Sequence, residues 1–435
     1  MTSSPPKEVY VWIWLPDAVQ PVIAGRLASE GKKFVFNYGR SYLDRKNAIP
    51  IHKAELPLQQ GEQEPMSGLT MAGCIRDGAP DAWGRRVILN HLFGVKGEQA
   101  DTAQINELTY LLQSGSDRIG ALDFQASPDQ YMPRMATNAS LDELQSAAER
   151  VEKGIPLTPE LDRALHHGSS IGGARPKALI IDGSKKYIAK FAASKDVYGV
   201  VKAEFVAMRL AALAGLDVAP VKLVRSAPKD VLLVERFDRK KKGKDQWHRH
   251  ALVSALTLLK LDEMMARYAS YEDLAQIVRY EFATPKPALH ELFGRLVFNV
   301  LCGNTDDHAR NHAALWDGKS LSLSPAYDIC PQIRSGGEAT QAMAILGRDR
   351  ASRLATCLDA AKSFLVPRAE ALSLCEGLIR SIGEHWKTVC DDAALGATDR
   401  QLMARGAFLN RYAFEGLRGD DARLEKLGDQ VRQTL

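Results

Sequence analysis

The sequence predicts an α+β fold: a small mixed lobe followed by a large helical lobe, both preceded by a mixed α/β domain. Three observations carry this. Residues 177–237 read as strand, tight turn, strand, helix and two further strands. From Ala251 onward the apolar spacing is almost wholly helical, apart from Ser322 to Cys330. The first 125 residues mix short bulky strands with amphipathic helices. The expected domains are 1–125, an accessory domain; 140–245, the small lobe; and 246–435, the helical lobe. The Pro-containing, polar stretch 126–140 reads as a linker.

Taken in order, Val9 to Trp14 reads as a strand, as do Phe34–Phe36 and Ile49–Ile51, and helices follow at Asp81–His91 and Ile105–Leu112. Ser140 with Glu143 three residues on forms a capping box for a helix through Glu152, and another helix runs from Pro159 to just before Gly168. Asp182-Gly183-Ser184 is the tight turn joining strands Lys177–Ile181 and Lys186–Phe191. A helix over Lys202–Ala214 stops at Gly215, and strands follow at Ala219–Val224 and Val231–Phe237. Beyond them, helices are expected at Tyr271–Tyr280, Ala288–Leu301 and Ala351–Ala360, with several more past Ala369.

Composition narrows the class. The chain is 45% hydrophobic and 25% charged with a formal net charge of +4, which fits a globular protein and demands no polyanionic partner. Six cysteines lie far apart with no CxxC pair, against a thiolate zinc site or a disulfide framework and in favour of a reducing compartment. No secretory signal or membrane-spanning apolar run is read, so a cytoplasmic location without membrane contact is expected.

The chemistry lies in four segments. Gly168 to Lys177 carries glycines that let backbone amides approach an anion, although it is neither GxGxxG nor a Walker A motif. Alternation puts Lys190 and Ile188 on one strand face, read as the apolar one, so the ammonium needs a partner. Glu204, early in the next helix, is the candidate. Asp306 and Asn311 have the D-x-x-x-x-N spacing of a kinase catalytic loop, and Asp328 follows seventeen residues later as a hard oxygen ligand suited to Mg2+. As a bland alternative, Asp328 caps a following helix. Asp306, His308 and His312 lack the HExxH spacing of a zinc hydrolase. Nucleotide loop, lysine, base and metal ligands thus arrive in the order of a bilobed protein-kinase-like fold.

These pieces resemble the HipA-like serine/threonine kinases, toxins of bacterial type II toxin–antitoxin pairs. The resemblance rests on Ser170 to Lys177, Tyr187 to Lys190, Val234 to Arg239, Gly303 to Asn311 and Pro325 to Ile329, with Gly78 to Asp81 and Ile119 to Ala121 in the accessory part. It implies ATP and Mg2+ as cofactors, Asp306 as catalytic aspartate, Asn311 and Asp328 as Mg2+ ligands, and Lys190 on the ATP phosphates, with Lys177 competing for that role. Ser170, Ile171, Gly172, Gly173 and Ala174 would form the loop over the phosphates, Glu235, Arg236 and Phe237 the adenine hinge, and His308 a loop-organising hydrogen-bond donor near the nucleotide. Ser170, with Ser169 beside it, matches a serine whose autophosphorylation expels the loop and switches the enzyme off. The implied protein substrate is an aminoacyl-tRNA synthetase such as glutamyl-tRNA synthetase, with arrested translation as the consequence. The implied partner is a HipB-like helix-turn-helix antitoxin, through which operator DNA would mainly be reached. His248-Arg249-His250 is not the H-R-D triplet of other kinases and is assigned to the connection between lobes. Two other readings stay open: a weakly catalytic binding module acting with the antitoxin, and a small-molecule kinase. The basic run Arg239 to Lys244 reads as a solvated hairpin rather than a DNA contact.

Overall fold

In the computed structural model, residues 5–93, 105–135, 139–166, 173–226, 229–334 and 336–435 are described. The chain divides into two compact units. The first comprises Met1–Lys195, Val224–Val253 and Leu315–Lys319; the second comprises Asp196–Leu223, Ser254–Ala314 and Ser320–Leu435.

The first unit begins with β1 (Glu8–Ile13), β2 (Val22–Glu30), β3 (Lys33–Tyr38), α1 (Arg40–Leu43), β4 (Glu62–Gln63), α2 (Gly73–Arg76), α3 (Ala82–Phe93), α4 (Glu107–Gln113) and β5 (Leu122–Gln125). The strands form one sheet in the order β4-β3-β2-β1-β5. Val9, Val11 and Ile13 of β1 pack with Leu27, Phe36, Tyr38 and Phe124 in its core. Gly25 is required there, since an added Cβ would lie 2.2 Å from the Asn37 carbonyl oxygen on the paired strand. Two expectations are corrected. Strand β2 was not read from the sequence, because its Ala, Gly, Arg, Ser and Glu residues are poor strand formers. Ile49–Ile51 is not a strand. Pro50 has no N–H to offer, and the Tyr42 hydroxyl donates to the Ile49 carbonyl (2.7 Å) while the Ile51 N–H donates to the Tyr38 hydroxyl (2.9 Å).

The same unit continues through α5 (Leu141–Glu152), α6 (Pro159–His166), β6 (Lys177–Asp182), β7 (Lys185–Phe191), β8 (Val221–Ser226), β9 (Lys229–Glu235) and the hairpin β10 (Arg239–Gly243) with β11 (Gln246–Arg249). The capping box of Ser140 and Glu143 is present in full. β6, β7, β9 and β8 make a four-stranded sheet in that order. Tyr187, Ala189 and Phe191 of β7 join Trp83 and Val87 of α3, Leu144 of α5 and Leu165 of α6 in a second core. The run Arg239 to Lys244 lies in the β10–β11 hairpin, and Lys241 sits over the Trp247 ring.

The second unit holds α7 (Val200–Leu213), α8 (Ala255–Leu258), α9 (Tyr271–Glu281), α10 (Pro285–Cys302), α11 (Leu354–Ala360), α12 (Arg368–Asp392), α13 (Ala397–Gly406), α14 (Ala422–Arg432) and the short strand β14 (Leu321–Leu323). β12 (Ala251–Ser254) belongs to the first unit up to Val253, and β13 (Ala313–Trp316) up to Ala314 belongs to the second. Non-helical chain extends further than Ser322–Cys330: among the described residues, no helix forms between β14 and α11. Pro325 and Pro331 remove donors there, and the backbone is satisfied by other segments instead. Gln332 donates to the Gly303 carbonyl (3.0 Å), Ala342 to that of Thr305 (3.0 Å) and Ala344 to that of Ala269 (3.0 Å). Among the described residues, no helix is long and apolar enough to cross a membrane.

Candidate active site

The loop that carries Asp306 begins where α10 ends. Gly303 closes that helix in the left-handed region (φ 72°), and an added Cβ would meet the Ala407 carbonyl oxygen at 2.8 Å. The next residue, Asn304, is buried; its N–H donates to the Asn299 carbonyl (2.9 Å) and its side-chain amide to Asn299 Oδ1 (3.0 Å). From this fixed start Asp306 is exposed while Asp307, Asn311 and His312 are buried. Asn311 Nδ2 donates to the Asp306 backbone carbonyl (3.2 Å). That bond holds the amide nitrogen on the loop and leaves Oδ1 as a hard ligand for a cation, which is the donor chemistry Mg2+ prefers.

The loop is anchored by residues to which the sequence assigned no such role. Asp307 accepts from the Tyr271 hydroxyl and lies 3.1 Å from His312 Nε2, and the Tyr271 and His312 rings meet edge to face. Burial pushes the Asp307 carboxyl up, but His312 and Tyr271 outweigh it and hold it below the usual carboxylate range. The adjacent aspartates therefore divide the work: Asp307 is ionised inside the fold and Asp306 presents its carboxylate outward. His312 anchors the loop through Asp307, and His308 Nδ1, like His312 Nδ1, is buried with no hydrogen-bond partner among the described residues. Tyr271→Phe is expected to lower stability by about 1–3 kcal/mol, because the buried carboxylate loses a donor. Urea unfolding measures this; an unchanged midpoint would show that the knot carries no load.

Asp328 is held against this loop. The Tyr327 hydroxyl donates to the Arg310 carbonyl (2.8 Å), so the residues preceding Asp328 and Asn311 are directly joined. Ala326 is fixed from the other side: its N–H donates to the Asp217 carbonyl (2.8 Å) and its carbonyl accepts from Ala219 (2.9 Å). Asp328 itself has φ 60°, a left-handed conformation costing roughly 1–2 kcal/mol for a residue with a side chain. A conformation of that kind persists where the surrounding structure over-determines it, as the bonds to Ala326 and Tyr327 do here. The capping alternative fails, because no helix begins within residues 329–334.

In the first unit the hairpin register makes Lys177 and Lys190 direct cross-strand partners. They stand side by side, Lys177 buried and Lys190 half-buried. The core face of β7 is the one with Tyr187, Ala189 and Phe191, so Lys190 lies on the opposite face and not on the apolar one. Gly173 has φ 102°, where a side chain would be strained, and Lys177 Nζ lies 2.1 Å from the place a Cβ would take. The Gly173 N–H donates to Asp81. Trp83 adds a second tie through Nε1 to the Lys177 carbonyl (2.9 Å). Ala174 is exposed. Ser169, Ser170, Ile171 and Gly172 lie outside the described residues.

The three residues of the 235–237 segment are placed differently. Glu235 pairs with Lys185 on the surface, and Phe237 is half-buried. Arg236 is committed elsewhere: its N–H donates to the Lys186 carbonyl (2.8 Å), and its buried guanidinium binds Asp117 and Asp238. Lys186 and Arg239 complete that ion cluster. Glu204 is buried on α7 of the second unit.

A sheet bearing two adjacent lysines behind a glycine turn, and a helical unit whose loop shows one aspartate and hides the next, define an α+β fold of the protein-kinase type. The solved complex of HipA, HipB and operator DNA from the toxin–antitoxin system of Shewanella oneidensis MR-1 has the same fold: TM-score 0.67 and 19% identity, covering 98% of this chain and 100% of that one. The HipA-like C-terminal domain matches residues 169–386 and the HipA N-terminal domain residues 15–125. The chain belongs to the HipA family. Among its relatives, Y4mE of Sinorhizobium fredii, which carries a kinase name, is 27% identical over 68% of this chain and 72% of its own. The serine/threonine-protein kinase toxin HipA of Shewanella oneidensis is 25% identical over 37% of this chain and 42% of its own.

Proposed function

We propose that this chain is an ATP-dependent serine/threonine protein kinase and the toxin of a toxin–antitoxin pair. One observation carries the reading: the Tyr327–Arg310 hydrogen bond, which sets the Asp328 segment beside a loop that exposes Asp306 and orients Asn311. In the proposed reaction a substrate hydroxyl oxygen forms a bond to the γ-phosphorus of ATP. The bond to the β-phosphate oxygen breaks, ADP leaves, and Asp306 takes the hydroxyl proton. Asn311 and Asp328 would hold Mg2+, which when bound offsets negative charge on the phosphates. Lys190 and Lys177 bring two positive charges to the same polyphosphate, and Glu204 would steady Lys190. The backbone around Glu235 and Phe237 would meet adenine.

The protein substrate proposed is an aminoacyl-tRNA synthetase, and the partner a HipB-like helix-turn-helix antitoxin that carries the complex to operator DNA. The relative solved with HipB and operator DNA supports the latter. We assign inhibitory autophosphorylation to Ser170. A phosphate adds about 1.5–2 negative charges, which a site built for ATP phosphates would repel. Ser170→Ala is expected to remain active through repeated turnover where the wild type falls silent. Undiminished self-labelling in that variant would move the modification to Ser169.

The deciding experiment incubates the purified chain with γ-labelled ATP, Mg2+ and a cell lysate, followed by mass spectrometry. A phosphorylated protein that disappears with Asp306→Asn supports the reading. Label confined to metabolites would identify a small-molecule kinase, and no turnover with retained antitoxin binding a binding module.

A further inference from the structure

One short segment of the second unit holds large apolar side chains out in solvent. The 3-10 turn Glu263–Tyr268 has no buried residue: Met264 is 80% exposed, Tyr268 56% and Met265 44%. Three residues per turn put Met265 and Tyr268 on one side, with Met264 next to them in the chain. The backbone beneath them is held firmly. Asp262 caps the turn, its side chain accepting from the Met264 N–H (3.0 Å) and its carbonyl from the Met265 N–H (3.0 Å). Arg267 lies over the Tyr268 ring, 5.1 Å from its centroid. Two ties then join the turn to the Asp306 loop. Glu263 pairs with Arg310, the residue before Asn311. Arg350 donates to the carbonyls of Arg267 and Ala342, and the Ala342 N–H donates to the Thr305 carbonyl (3.0 Å), one residue before Asp306.

Apolar side chains scattered singly over a surface need no explanation, whereas a fixed group of them marks a contact. Methionine suits a contact with varied sequences, because its unbranched, polarisable side chain adapts to what it meets. The position names the occupant. Asp306 is exposed and meets a serine or threonine hydroxyl in the proposed reaction, so the residues flanking that hydroxyl must leave across the neighbouring surface. Extended chain advances ~3.3 Å per residue. One guanidinium and one residue separate the Arg267 carbonyl from that of Thr305, a gap that a few substrate residues span. We propose that Met264, Met265 and Tyr268 form the docking surface for the protein substrate and select large apolar side chains close to its phosphoacceptor. The surface rests on the protein-kinase assignment and adds a sequence preference to it.

The test uses the full chain and, as probe, the phosphoprotein that labelling in the lysate identifies, purified and varied in concentration. Met264→Ser combined with Met265→Ser is expected to raise KM for that protein about tenfold and leave kcat within about twofold, the pattern of lost docking. Leucine at both positions should restore KM, because it keeps the bulk and the apolar surface. MgADP affinity and thermal midpoint should stay at wild-type values, since both methionines are exposed and neither is assigned to the nucleotide. Replacing the large apolar residues beside the phosphosite with serine should weaken the wild type by a similar factor and the serine variant little further. An unchanged KM in the serine variant, or a phosphosite with no large apolar neighbour, overturns the docking surface and leaves the kinase assignment standing. A serine variant that phosphorylates normally but no longer binds the antitoxin gives the patch to that partner and also overturns it. Label confined to metabolites in the wild type removes the protein-kinase assignment, and the docking surface with it.

Discussion

Asp306→Asn is expected to lower the rate of phosphoryl transfer about 1,000-fold, within the range that loss of a positioned base produces. The amide keeps the shape of the side chain but cannot take the hydroxyl proton. Nucleotide affinity and thermal midpoint should stay near wild type, because Asp306 is exposed and the loop is held by Asp307, Tyr271 and His312 instead. The split is what distinguishes a catalytic role. A structural aspartate would lose stability along with activity, and an idle one would lose neither. Single-turnover rates, nucleotide titration and a melting curve on the same preparation separate the three.

Asp117→Ala is expected to cost about 3–5 kcal/mol of stability, the range for breaking a buried ion pair from one side. Asp117 is buried, and it accepts from Arg236 Nη1 (3.1 Å), Arg239 Nε (3.0 Å) and Lys186 Nζ. The other carboxylate of the cluster, Asp238, is held by Arg236 Nη2 (2.8 Å), Arg239 Nη1 (2.9 Å) and the Gly120 N–H (2.8 Å). Two carboxylates thus face three cations, and removing Asp117 leaves one carboxylate against three buried positive charges. Burial raises both carboxyl pKa values, but the arginines prevail: Asp117 ends well below the ordinary carboxylate value of 3.8 and Asp238 at about 2. The linkage follows with a definite sign. On acidification the unfolded chain takes up these protons first, so the stabilisation is complete above about pH 4 and fades as pH falls through the folded values. Denaturant midpoints between pH 7 and pH 2.5 should fall steeply for the wild type and much less for Asp117→Ala.

What could be read from the sequence was local. The turn at Gly183, the capping box at Ser140, the end of α7 at Gly215 and the spacing from Asp306 to Asn311 each depend on residues a few positions apart, where backbone geometry leaves little choice. The side-by-side placement of Lys177 and Lys190 was also within reach. A turn that pairs Asp182 with Lys185 brings those two lysines opposite one another by counting back along both strands. The ion cluster around Asp117 was not, because its partners lie 69 to 122 residues away and nothing near Asp117 marks it as buried. The same holds for Tyr271, which reaches Asp307 across 36 residues, and for Asp81, which reaches Gly173 across 92. The left-handed backbone of Asp328 is imposed from outside, by Ala326 and Tyr327, in a segment where no glycine announces it.

The central proposal is that Lys190 of the first unit and Asp328 of the second serve one Mg2+-bound nucleotide. A double-mutant cycle on MgADP affinity, using Lys190→Ala, Asp328→Asn and the pair together, tests it most directly. Asparagine tolerates the left-handed backbone at 328, so the cycle reports ligand contacts rather than strain. A shared ligand predicts that each single change weakens binding and that the double change departs from additivity by about 0.5–3 kcal/mol. Strict additivity, or an affinity indifferent to either residue, would contradict it.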